Sequence, residues 1–171
     1  MLVFLLALAL FSLISPYHYT DINLQSLLET PSTQHLLGTD ELGRDILTRL
    51  SYAIRTSLFV GLIVMSISVT IGALVGSFSA FIGGRTDMII MRITDVFLAF
   101  PGILLAIAFS ALIGNGFTSV IIALSLFSWV GIALISRTQV LAIKDKPFIE
   151  SAKMSGLSRF KIITKHLLPN I

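Results

Sequence analysis

The chain has no cysteine, so neither a disulfide framework nor a thiolate metal site is open to it. Charge is scarce: Asp, Glu, Lys and Arg together make up 12% of the 171 residues, about half the share of an ordinary soluble domain. The three histidines, His18, His35 and His166, are dispersed along the sequence and give no transition-metal ligand set. No Gly-x-x-x-x-Gly-Lys-Ser/Thr phosphate loop occurs, and the long apolar stretches hold no acid or base. Catalysis by this chain is therefore not expected, nor is nucleotide hydrolysis.

What the chain has is hydrophobicity, with 55% apolar residues and a mean hydropathy of +0.94. That balance places it in lipid, as an all-α membrane protein built as a polytopic transmembrane helix bundle. Charge-free runs predict spans over residues 1–15, 56–82, 96–113 and 118–136, the last two separated by the turn-like Gly114-Asn115-Gly116. Crossing about 30 Å of hydrocarbon takes roughly 20 residues at about 1.5 Å each. The first run is short by about a turn and reads as a span clipped at its start. The alternative, a cleaved signal peptide, lacks a basic leader and an Ala-x-Ala site.

Orientation follows from the loops, because Lys and Arg are retained on the cytoplasmic side. Residues 17–55 hold Arg44, Arg49 and Arg55 against five carboxylates, a net −2. Residues 83–95 and 137–171 hold the other nine basic residues against four carboxylates, a net +5. The expected arrangement has a cytoplasmic N-terminus, an external segment 17–55, a cytoplasmic interfacial segment 83–95 and a cytoplasmic tail 137–171, all within one transmembrane domain 1–171.

In the second span Ser68, Gly72, Gly76 and Ala80 recur at every fourth position. A face so bare admits the backbone of a neighbouring helix, which is how helices associate in lipid. Packing is the expected role, with a lining for a solute path as the alternative. Pro101 marks a helix start or a hinge near the beginning of the third span. In segment 83–95 the charges Arg85, Asp87, Arg92 and Asp95 surround Met88, Ile89, Ile90 and Met91, which predicts a short interfacial helix on which Arg92 and Asp95 pair.

The external segment contains Leu37-Gly38-Thr39-Asp40-Glu41-Leu42-Gly43-Arg44-Asp45-Ile46-Leu47-Thr48-Arg49. Thr39 or Asp40 is the expected cap of an amphipathic helix starting near Glu41 and lying on the outer surface, with Leu42, Ile46, Leu47 and Leu50 on its apolar side. Asp40, Arg44 and Asp45 form a solvated charge cluster. In the tail, Pro147 opens a short helix with Phe148, Ile149 and Ala152 on one side, and Gly156 ends it in the left-handed conformation. Ser158 caps a second helix carrying Phe160, Ile163 and Leu167 until Pro169 stops it. A basic amphipathic tail binds anionic headgroups by default; a soluble partner that pushes on the helices is the alternative.

Glu150-Ser151-Ala152-x-x-x-Gly156 followed by Leu168-Pro169 resembles the EAA loop of ABC importer permeases. The string Gly38-Thr39-Asp40-x-x-Gly43-Arg44-Asp45-x-x-x-Arg49 is similar to a signature of the subgroup handling dipeptides, oligopeptides and nickel. So are Gly83-Gly84-x-x-Asp87-x-x-x-Met91-Arg92-x-x-Asp95 and Ala99-x-Pro101, in the same order. The resemblance covers about residues 35–170.

The resemblance implies a multi-pass permease of the plasma membrane, an ABC importer permease bundle with normally six spans. It implies a second permease subunit, two cytoplasmic ATPase subunits that hold ATP and Mg, and an extracytoplasmic solute-binding protein, with no nucleic acid and no cofactor in this chain. Glu150, Ser151, Ala152, Gly156, Leu168 and Pro169 would couple to the ATPase. Gly38, Thr39, Asp40, Gly43, Arg44, Asp45, Asp87, Arg92, Asp95 and Pro101 are subgroup residues to which it assigns no role. The chain departs from the pattern at Ser151, where Ala is usual, at Ala53, where Gly is usual, and at Leu134, where Arg is usual. It stops just after Asn170, where the family continues with two more spans, so a fragment is expected. The rival class is a membrane scaffold or degenerate fragment that transports nothing.

Overall fold

The computed structural model describes residues 2–114 and 116–171; Met1, where the first apolar run begins, and Asn115, the centre of the expected turn, lie outside them. The described residues are 73% helical with no strand, as an all-α membrane protein requires. They divide into two units, Met1–Gly61 and Leu62–Ile171.

In the first unit, α1 (Leu2–Ile14) is a helix apolar but for Ser12, whose hydroxyl donates to Ala9 O, and it ends ahead of Pro16. The following irregular segment is closed by one antiparallel bridge between Thr39 and Asp45. Helix α2 (Ile46–Ile82) then begins and continues for 37 residues across the boundary between the units. Two expectations are corrected here. The amphipathic stretch does not start near Glu41, because Gly43 takes φ +69°, a left-handed conformation foreign to an α-helix. Nor is it separate from the second span: Asp45 caps α2 by accepting from the Thr48 amide at 2.8 Å, and the helix runs on unbroken. At about 1.5 Å per residue α2 is some 55 Å long, well beyond the hydrocarbon thickness.

The second unit holds the rest of α2, then α3 (Gly84–Leu98), α4 (Gly102–Ile113), α5 (Phe117–Ile143), α6 (Pro147–Met154) and α7 (Arg159–Ile162). By length and composition α2 and α5 can each cross a membrane, and α3 with α4 form a third candidate bent by 81°. The expected third span, 96–113, is thus not one straight helix. Pro101 has no amide hydrogen to donate and disfavours the α conformation at the residue before it, in line with α3 stopping at Leu98 and α4 restarting at Gly102.

Helices α2 and α5 meet along the small-residue stripe. A Cβ on Gly72 would lie 2.6 Å from the Trp129 carbonyl oxygen, and one on Gly76 would lie 2.1 Å from that of Ala133. Ser68 and Ala80, on the same stripe, are buried. Helix α4 lies against α5, where Phe109 meets Phe127 with ring centroids 5.6 Å apart. An apolar core forms where the last turns of α2 and α5 meet the C-terminal element: Ala80, Val140, Ile149, Ala152, Ile162, Ile163 and Leu167 are buried together.

Candidate functional site

Helix α6 is short because its sequence starts and stops it within eight residues. Pro147 occupies the first turn, where an amide hydrogen would go unused. At the other end the Gly156 amide donates to Lys153 O at 3.1 Å and the Leu157 amide to Ala152 O at 3.4 Å, with Gly156 at φ +73°. These two bonds are the pair that closes a helix in a Schellman motif, and Leu157 adds the accompanying apolar contact by packing on the core. No atom lies within 4 Å of a Cβ built on Gly156, so conformation, not space, demands glycine there.

The helix has two unlike faces. Ile149 is fully buried and Ala152 is 6% exposed, both packed among Ala80, Val140, Ile162 and Ile163. Glu150, Ser151 and Lys153 are exposed, Phe148 is half exposed, and Met154 is 89% exposed. Phe148 therefore does not join the buried side that Ile149 and Ala152 form. Ser151 Oγ donates back to Pro147 O at 2.9 Å, which spends its hydroxyl on the helix itself.

After the turn, Ser158 caps α7 by accepting from the Lys161 amide at 3.4 Å. A regular helix up to Pro169 is expected from the sequence, and the structure differs. Only Arg159–Ile162 is α-helical; Ile163–Leu167 is a π turn and Leu168–Asn170 a 3₁₀ turn. Pro169 supplies no amide hydrogen and its ring would press on the carbonyl four residues back, and the wider turn removes that conflict. Ile163 and Leu167 are buried, Leu168 is partly buried, and Pro169 and Phe160 are exposed.

Three helices meet at one carboxylate, that of Asp87 in the first turn of α3. Arg137 of α5 donates from Nε and Nη2 to Oδ1 and Oδ2 of Asp87 in α3, at 2.7 Å each. Ser79 of α2 donates to Asp87 Oδ1 at 2.6 Å. Lys144 Nζ reaches Ala80 O at 3.4 Å, and Lys153 Nζ lies 5.4 Å from the centroid of the Phe81 ring. The sequence points only to Arg92 with Asp95; that pair stands at 3.7 Å with both side chains largely exposed, and such pairs contribute little. The Asp87 and Arg137 pairing escapes sequence reasoning because 50 residues separate them. The available signal is that Arg137 is the first charge after a run of 41 uncharged positions, residues 96–136.

The external signature residues are brought together, and each serves the fold of residues 23–49. Gly38, at φ +75°, would place a Cβ 2.3 Å from Glu29 O, and Gly43 would place one 1.8 Å from Asn23 O. Thr39 Oγ1 donates to Ser26 O at 2.5 Å and accepts from the Glu29 amide at 2.9 Å. Asp40 accepts from the Leu42 and Arg44 amides, from Arg44 Nε at 2.8 Å and from Arg49. Burial opposes its charge, yet these amides and the Arg44 guanidinium hold its carboxyl well below the usual carboxylate range. Asp45, expected in a solvated cluster, is instead buried and hydrogen-bonded to His35 Nδ1 at 3.0 Å. Burial raises its pKa, but the bonds from Thr48 and His35 prevail and lower it. No group of three or more His, Asp or Glu suited to a metal ion occurs among the described residues.

Described residues that are helical without strands, with two membrane-length helices, a bent third candidate and a short two-faced helix packed on their ends, define a polytopic membrane protein. Residues 68–171 match the family described as binding-protein-dependent transport system inner membrane component, and the chain belongs to that family. It is 40% identical over 155 residues to the oligopeptide transport system permease protein OppC of Haemophilus influenzae, covering 91% of this chain and 50% of that protein. It is 41% identical to the dipeptide transport system permease protein DppC of Bacillus subtilis, over 99% of this chain and 53% of that protein. The nickel transport system permease protein NikC of Escherichia coli K12 is 36% identical over 97% of this chain and 61% of its own length. The chain spans about half the length of the curated relatives it matches. Membership of that family places the chain in the inner membrane, among components of binding-protein-dependent transport systems.

Proposed function

We propose that the chain forms part of the solute pathway of an ATP-driven importer of dipeptides, oligopeptides or nickel, and that α6 couples it to separate ATPase subunits. The observation that carries the reading is the division of α6. Ile149 and Ala152 seat it on the ends of α2 and α5, while Phe148, Glu150, Ser151 and Met154 are left to solvent. A helix fixed on one face and free on the other passes a partner's motion to the bundle, where a loose loop would absorb it.

In this reading α6 is cytoplasmic, in line with the excess of basic residues in 83–95 and 137–171. ATP and Mg are held by the partner ATPases. A second permease completes the pathway, and a binding protein on the other side delivers the solute. The names of the relatives support peptide or nickel as cargo.

Co-purification of the full-length protein with its ATPase subunits tests the coupling. Glu150→Lys and Gly156→Pro are expected to abolish recovery of the ATPases while leaving the protein in the membrane. Equal recovery with wild type and both variants would reject coupling and favour a membrane scaffold.

A further inference from the structure

Helix α3 is thinly anchored. Of its fifteen residues only Thr94 is buried, and the Thr94 hydroxyl is spent on its own helix, donating to Ile90 O. Two attachments tie α3 to α5. At the far end Phe97 meets Phe127 and Trp129, with ring centroids 5.8 and 5.6 Å apart. At the near end stands the two-pronged bond from Arg137 to Asp87, which Ser79 extends to α2. Arg137 lies six residues before the end of α5, about 9 Å of helix, and α6 follows after a three-residue link.

We infer that Asp87 and Arg137 are a positioning pair that pins α3 to α5, so that motion delivered at α6 is carried through α5 into α3 and, past the Pro101 break, into α4. This rests on the coupling role proposed for α6. Three features favour a pin over ordinary surface charge. The bond is bidentate, which fixes the angle between the planes of guanidinium and carboxylate as well as their distance. Both carboxylate oxygens are occupied, and Oδ1 takes a second donor from α2. The α6 core reaches α2 and α5 through Ala80 and Val140 and includes no α3 residue, so packing alone leaves α3 behind. The 81° break between α3 and α4 then turns a shift of α3 along its axis into a sideways displacement of α4.

The test uses the full-length protein assembled with its ATPases and reconstituted in liposomes, measuring uptake and ATP hydrolysis together. Arg137→Gln and Asp87→Asn should leave the complex intact and hydrolysis within about twofold, while uptake per ATP falls about tenfold or more, as for a lost coupling of ordinary size. A fold defect would lower both together. These 171 residues hold no cysteine, so a second arm uses Asp87→Cys/Arg137→Cys with any cysteine elsewhere in the full-length protein replaced by Ser. Before bridging it should be uncoupled like the single variants. After reaction with a short bifunctional thiol reagent, suited to replace a pair of such long reach, uptake should recover at least severalfold. Unchanged uptake per ATP in the single variants, uptake and hydrolysis falling in parallel, or failure of the bridge to restore uptake would each overturn the pin. If instead the wild-type complex shows no solute-dependent hydrolysis, the coupling role of α6 itself is what fails.

Discussion

The Cα of Gly76 sits so close to Ala133 that a methyl group added to it would lie 2.1 Å from the Ala133 carbonyl oxygen and 2.9 Å from its carbonyl carbon. Both neighbours are backbone, so neither has a rotamer to escape through. Gly76→Val should therefore push α2 and α5 apart, costing about 1–3 kcal/mol as overpacking does. The expected result is a lower melting temperature in detergent, read by size-exclusion after heating. Gly61→Ala is the control, since nothing lies within 4 Å of a Cβ there. Equal melting of both variants would show that the seam is looser than described.

Gly156 presents the opposite case. Its surroundings are empty, and only φ +73° restricts it. Gly156→Ala should cost about 1–2 kcal/mol, the price of a left-handed L-residue. Gly156→Asn should cost less, because Asn visits that region with help from its own side chain. Hydrogen exchange at the Gly156 and Leu157 amides reports the loss directly, as these two bonds close α6. If Ala and Asn exchange alike, the turn does not depend on the left-handed conformation.

The all-α membrane class was readable because charge is excluded from hydrocarbon, and the α6 turn was readable because Pro147 and Gly156 are local signals. Where α2 begins was not. The acidic cluster after Thr39 offers several caps, and choosing Asp45 requires knowing that Gly43 abuts Asn23, a contact made twenty residues back along the chain. Pro101 announced a break, but proline chemistry does not set its angle of 81°. The Asp87 and Arg137 pair was invisible for a similar reason: periodicity speaks of residues three or four apart, and nothing local matches partners on different helices.

Asp45 gives a pH dependence with a definite sign. Its carboxyl is lowered from the ordinary 3.8, so the folded state favours the charged form more than the unfolded state does. The stabilisation is complete above 3.8 and is lost as pH falls below that value through the folded pKa. Near-ultraviolet circular dichroism should show a transition below about pH 4, since Tyr17 lies 4.8 Å from His35, the partner of Asp45. Asp45→Asn should remove much of that transition and weaken the cap of α2. A transition of the same size in the variant would assign the acid response to another group.

The two faces of α6 should separate by mutation. Ala152→Arg forces a cation among Ile149, Ile162 and Ile163, where no carboxylate is at hand, and should reduce the amount of folded protein extracted from membranes. Met154→Ser changes a side chain that is 89% exposed and should leave expression and melting unchanged. Its effect should appear only in recovery of the ATPase subunits, because an exposed apolar side chain of this size acquires a partner when a groove closes over it. Ser151→Ala should do little to either, its hydroxyl being engaged with Pro147 O in the same helix. Loss of ATPase binding on Ala152→Arg with normal folding, or loss of folding on Met154→Ser, would mean that the inner and outer faces are reversed.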